Sequence, residues 1–311
     1  MKKDKNSKYG LLSYSTKNIG DEIQSLAARQ FLPKVDVFLD RDKLNEVKSD
    51  KKIKLIMNGW FTEKPKNWPP SPDIDPLFIA FHLSEKGLKE MTSKESIEYF
   101  KKHEPIGCRD YHTRDILIKH GVDAYFSGCL TLTFEKKSPT RSDEILLVDL
   151  EREGIKINEL PKNLVSKSKI FDHKIFNMHP KMTEVRKRRG FIRRSIDPTY
   201  KFMFSDGKRI DKRFKLAERY LERYARAKLV ITSRIHCALP CLAMGTPVIF
   251  IHKNMQDPRF GGLLEYFRNY TPEEFKKKVD KIDWVNPLPN PKSIEKIRNN
   301  LVKKVNDFIN N

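Results

Sequence analysis

Short β-rich runs alternate with amphipathic helical patterns along this chain, and they do so in two successive cycles. In the first, YGLLSY precedes DEIQSLAARQFL, and LIMNG and LFIAFHL are separated by the proline-laden KPKNWPPSPDIDP. YHTRDILIKHG then reads as a helix ending at Gly121, and VDAYFSGCLTLTF as the strand after it. EKKSPTRSDE carries charge, Ser and Pro without periodicity, which places a linker near residues 135–143 and splits the chain into an N-terminal lobe, 1–140, and a C-terminal lobe, 141–311. The second cycle runs through EILLVDL, KIFNMHP, the helical DKRFKLAERYLERYARA, LVIT, another helical run and PVIFI, and PNPKSIEKIRNNLVKKVNDFIN closes it as an amphipathic helix. Such alternation selects α/β units on parallel sheets, and 311 residues suit two of them at roughly 100–200 residues each. The expected fold is therefore two Rossmann-like lobes facing across a cleft, a glycosyltransferase B-like arrangement, with ligands at the carboxyl ends of the strands.

The stretch AKLVITSRIHCALPCLAMGTPVIFI concentrates the chemistry. A buried strand, LVIT, passes through Ser233 into a helix that stops at Gly245, with Arg234 and His236 at the helix start and Pro240 inside it. Unpaired N–H groups there favour an anion. A guanidinium adds a bidentate grip for carboxylate or phosphate, and an imidazole adds a group that gains or loses a proton near neutral pH. An Arg and a His that only cap the helix are the bland alternative.

SRIHCALPCLAMGTPVIF resembles the late hallmark of the polysaccharide pyruvyl transferase family, an Arg-hydrophobic-His triplet, a small-residue helix and a Gly-Thr-Pro-Val turn. NIGDEIQSLAA resembles that family's Asn-x-Gly-Asp loop, and IGCRDYHTRDILIKHGVDAYFSGCLTL its mid-chain Arg-Asp block. The resemblance spans roughly residues 9–265. It implies transfer of a pyruvyl group from phosphoenolpyruvate to a sugar of a polysaccharide, glycan or precursor, with no metal or cofactor. It puts His236 in the role of acid or base, Arg234 and Arg109 on the donor, and asks for a further first-lobe ligand, for which His82 is the candidate. Asn18, Gly20, Asp21, Ser233 and Arg259 are further candidate substrate contacts, with Asp21 as a helix cap and Arg259, beside Asp257, as part of a surface loop for alternatives. Where many members carry a Gly-rich turn, this chain has Trp60 and Phe61. That pair either stacks on an acceptor sugar or, with Trp68, packs under the proline-rich loop.

Lys and Arg outnumber Asp and Glu by 62 to 41, a formal charge of +21 that draws anions. The run RKRRGFIRR, residues 186–194, is read as a hold on an anionic lipid- or nucleotide-linked acceptor, a peripheral contact with an anionic membrane, or a solvated face. No apolar run nears the roughly 18 residues that span a bilayer, and MKKDKNSKYG has no leader pattern, which points to the cytoplasm. Cys108, Cys129, Cys237 and Cys241 form no C-x-x-C pair, which argues against structural zinc. Two other functions compete. A nucleotide-sugar glycosyltransferase would use Glu265 as its late carboxylate. A basic nucleic-acid-binding protein lacks any helix-turn-helix, zinc or RNA-recognition signature, so no nucleic-acid partner is expected.

Overall fold

The computed structural model of the chain describes residues 7–135, 140–173 and 209–311. KIFNMHP and the basic run 186–194 lie outside them.

The first lobe holds strands β1 (Lys8–Ser13), β2 (Val37–Asp40), β3 (Ile53–Phe61), β4 (Ile74–Leu83), β5 (Ile106–Cys108) and β6 (Ala124–Phe126). They form one parallel sheet in the order β2-β1-β3-β4-β5-β6. The second lobe holds β7 (Ile145–Val148), β8 (Ser168–Phe171), β9 (Leu229–Thr232), β10 (Val248–Ile251) and β11 (Arg268–Tyr270), again parallel, in the order β11-β10-β9-β7-β8. Each sheet is wound in the same sense, second strand beside first, then third, fourth and fifth. The order reverses between β1 and β3 in one and between β7 and β9 in the other, and open α/β sheets bind ligands outside such reversal points.

Three apolar cores stack around the two sheets. One lies on the outer face of the first, around Phe61, Phe78, Phe81 and Phe100. Another lies on the outer face of the second, around Leu147, Ile231 and Phe275. The largest joins the lobes and is filled by helix α1 (Ile19–Arg29), the helix Arg209–Arg226, the helix Ile235–Ala243 and the closing helix Glu295–Asn310. In α1 even the polar Asp21, Glu22, Gln24 and Ser25 are buried. Each polar group therefore needs a partner: Ser25 Oγ donates to the Leu12 carbonyl at 2.8 Å, and Glu22 accepts the Arg213 Nε–H of the helix Arg209–Arg226 at 2.6 Å, with Nη2 of the same guanidinium in ion-pair contact at 2.5 Å.

Two expectations change. VDAYFSGCLTLTF is not one strand: β6 stops at Phe126, Gly128 turns the chain at φ +73°, and Leu130–Thr133 forms a 3-10 turn that drops Leu130 and Leu132 into the central core. The closing helix, grouped by sequence with the second lobe, also returns to the first. Lys54 Nζ at the start of β3 donates to the Phe308 carbonyl at 3.1 Å, and Arg298 donates to the carbonyls of Leu132, Phe134 and Ala243. Arg141 makes a matching clamp from the other side of residues 136–139. Its guanidinium donates to the carbonyls of Ala225, Ala227, Met244 and Gly245 and to Thr246 Oγ1, which satisfies the open ends of the helices Arg209–Arg226 and Ile235–Ala243. No helix among the described residues is long and apolar enough to cross a membrane.

Candidate active site

A cavity of about 230 Å³ opens at the carboxyl ends of both sheets. Thr16, Asn18 and Asp21 follow β1, Arg41 follows β2, Trp60 lies at the end of β3 and Glu63 just past it, and Arg109 follows β5. From the second lobe come Arg152 after β7, His173 after β8, Ser233 to His236 after β9, and His252, Arg259 and Phe260 after β10. Strands this short leave little to vary except their ends, and those ends build the walls.

Arg234 stands at the N-cap of the helix Ile235–Ala243, with extended φ/ψ and no side-chain cap. Its Nε is bonded to the carboxylate of Asp149, which leaves the other guanidinium nitrogens toward the cavity. Asp149 ties the site together. It sits in the left-handed region at φ +56°, its carboxylate also accepts the His173 backbone N–H at 3.1 Å, and its carbonyl accepts Ser233 Oγ at 2.8 Å. Pro240 lies inside this helix, which runs on to Ala243.

His236 is 8% exposed, and its Nε2 has no hydrogen-bond partner among the described residues. Burial holds its pKa well below the ordinary value, helped by the positive charge of Arg109 and Arg259 and by His173 and His82. Gly20 explains how the helix α1 reaches this ring: a Cβ there would lie 3.2 Å from both Cβ and Nδ1 of His236. Gly20 is thus a close-approach position between the lobes and not a cavity wall.

Arg109 is 2% exposed, and its Nε finds no hydrogen bond, the nearest carboxylate being Asp110 at 3.7 Å. Arg41, 3% exposed, is bonded to Asp42 and lies over the rings of Tyr14 and Trp60 at 5.1 and 5.2 Å. Arg259 is bonded to Asp257 at 2.5 Å. The Arg152 guanidinium has no hydrogen-bond or ion-pair partner among the described residues; burial lowers its pKa, and the charges of Arg234 and Arg259 lower it further. The cavity therefore holds more positive charge than its own acids neutralise.

The remaining candidates part company. Asn18, not Asp21, is the cap of α1, accepting from Gly20 N at 3.2 Å, and Asp21 faces the cavity. Trp60 lines the cavity, but Phe61 points the other way, fully buried against Trp68 and Phe81, because successive residues of a strand face opposite sides. His82 is not in the cavity wall. Its Nδ1 is 2.6 Å from Asp110, behind Arg109. Glu265 is ion-paired to Lys292 at 2.6 Å and lies outside the wall. Cys237 and Cys241 are buried in the central core. Among the described residues no group of three or more His, Cys, Asp or Glu is arranged for a metal. Arg41, Arg152, His173, His252 and Asp149 were not picked out by the sequence; all lie just past strands of four residues, where no period marks the side chains that turn to the cavity.

A model of the polysaccharide pyruvyl transferases matches residues 18–252. The chain belongs to that family. The matched span runs from the cap of α1 to His252 at the end of β10, and so takes in every cavity residue named above except Thr16, Arg259 and Phe260. No curated protein matches the chain significantly.

His82 gives this pyruvyl transferase family member a testable pH dependence. Burial and the Arg109 charge lower its pKa to about 4 against the pull of Asp110. The folded pKa lies below the ordinary 6.5, so the unfolded chain takes up the proton first. The stabilisation is complete above pH 6.5 and is lost as pH falls toward 4, by about 3 kcal/mol at most. Urea midpoints are expected to drop across that window, and less steeply in His82→Asn; parallel curves would refute the assignment.

Proposed function

We propose that this protein transfers a pyruvyl group from phosphoenolpyruvate onto a pair of hydroxyls of a sugar, as a ketal. The observation that carries the donor is the cavity's unspent positive charge, namely an unpartnered Arg152, a buried Arg109 with a free Nε, and Arg234 turned inward at a helix start. Phosphoenolpyruvate presents a carboxylate and a phosphate on one small frame, which suits several guanidinium forks at once. The two parallel lobes would face each other as in glycosyltransferases of the B type, with the donor between them.

His236 supplies the acid. Burial holds it neutral, and the negative charge of the donor would favour its imidazolium form, ready to deliver a proton to the methylene carbon. The positive charge that develops at the adjacent carbon is then captured by sugar oxygen as phosphate leaves. These steps need no metal or organic cofactor. Trp60, with Arg41 over its ring, offers a face for the acceptor sugar. Glu265 is occupied by Lys292, so nothing in the cavity favours the nucleotide-sugar alternative.

Calorimetric titration of phosphoenolpyruvate tests this reading. Arg152→Ala removes a cation without stranding an acid, and Kd is expected to rise roughly ten- to a hundredfold, the worth of one charged hydrogen-bond grip. Absence of saturable heat in the wild type would sink the proposal.

A further inference from the structure

We infer that Asp21 is the general base of the transfer, taking the proton of the sugar hydroxyl as its oxygen attacks the central carbon of the donor. The inference rests on the pyruvyl transfer reading and adds to it the group that makes the acceptor a nucleophile.

The acids around the cavity divide into two kinds. Asp149 is bound to Arg234, Asp257 to Arg259, Asp42 to Arg41 and Glu63 to Lys86, and Asp110, bonded to His82, has the Arg109 guanidinium 3.7 Å away. An acid already holding a cation is a poor base. Asp21 makes no ion pair among the described residues, although it is 6% exposed and lines the cavity. Only neutral groups hold it: Thr16 Oγ1 donates at 2.5 Å, and the amides of Asn18 and Gln24 lie at 3.5 Å. Arg41 and Arg213 act on it through space without touching it, and Asp42 opposes them; burial outweighs these and raises its pKa. A base strengthened toward the working pH is the more effective one.

Position agrees with role. Asp21 is in the first turn of α1, one residue past Gly20, whose backbone abuts the His236 ring. Acid and base thus come from opposite lobes and line one cavity, to which the first lobe also contributes Trp60 and Arg41.

The protons balance. Imidazolium His236 gives its proton to the methylene carbon, which becomes the methyl group, and the first hydroxyl oxygen bonds to the central carbon as Asp21 takes its proton. The bond from that carbon to the phosphate oxygen then breaks, both electrons going to phosphate, which departs with the proton held by Asp21. The second hydroxyl closes the ketal and returns a proton to His236, so both groups are reset.

Asp21→Asn keeps the shape and the Thr16 hydrogen bond and is the variant to test. By calorimetry it is expected to bind phosphoenolpyruvate as tightly as the wild type or up to tenfold more tightly, since a repelling charge is gone. Phosphate release from phosphoenolpyruvate, with methyl β-D-galactopyranoside and methyl α-D-mannopyranoside as acceptor probes, should fall roughly a hundred- to ten-thousandfold in kcat and lose the acid limb of its pH profile. Turnover within about threefold of wild type, or donor affinity weakened tenfold or more, would overturn the inference. If the wild type uses neither probe, the infrared carboxyl difference between wild type and Asp21→Asn decides. A group titrating well above the usual carboxylate value of about 3.9 supports the base, and one at or below it overturns it. Failure of the wild type to bind the donor at all would instead remove the functional reading beneath.

Discussion

Replacing His236 with glutamine is expected to lower the rate constant of transfer by roughly a hundred- to ten-thousandfold, the usual worth of a placed acid or base. Donor affinity should change little by comparison, because the guanidinium groups around the ring remain. A second readout is independent of turnover. His236 is held neutral at pH 7 by burial first and the Arg109 charge second. Binding an anion that favours imidazolium must therefore draw a proton from solution, up to one per site. Calorimetric heats measured in buffers of different ionisation enthalpy should report this uptake in the wild type and lose it in His236→Gln. Equal uptake in both proteins would mean that another group is being charged.

The second large effect concerns stability. Glu22→Ala strands the Arg213 guanidinium, 5% exposed, inside the core between the lobes. Removing one partner of a buried pair costs about 3–5 kcal/mol, whereas replacing both with apolar groups of similar volume is often neutral. Urea unfolding of Glu22→Ala should show the loss, and Glu22→Leu combined with Arg213→Met should recover most of it. A double variant no better than the single one would show that the pair does more than fill the core.

Helical stretches were legible wherever they were long, as in DKRFKLAERYLERYARA, and so were strands with a punctuated exit, as in LVITSRIH, where one turn carries both Arg234 and His236. The rest of the cavity was hidden for a physical reason. Arg41 and His173 follow β2 and β8, four-residue runs that show no alternation to separate them from a loop, whereas Arg152 and His252 follow β7 and β10, which EILLVDL and PVIFI did mark, but beyond a strand end no period says which side chain turns to the cavity. Once a strand is known, however, its carboxyl end is where to look. Phe61 fails for the converse reason. Neighbours in a strand face opposite ways, so a Trp-Phe pair can present only one ring to a ligand, and here it is Trp60. In α1 the amphipathic pattern did not show that the polar Glu22, Gln24 and Ser25 would be buried as well.

Arg298 and Arg141 hold the connection between the lobes from both sides. Many two-lobed enzymes work as jaws, and part of the donor's binding energy goes into shutting them. Jaws bolted at the joint travel little, so small-angle scattering curves with and without phosphoenolpyruvate should superimpose, and ligands come and go through the mouth. On the proposed reading, exchanging the loops after β2 and β3 would alter the acceptor while the joint stays as it is.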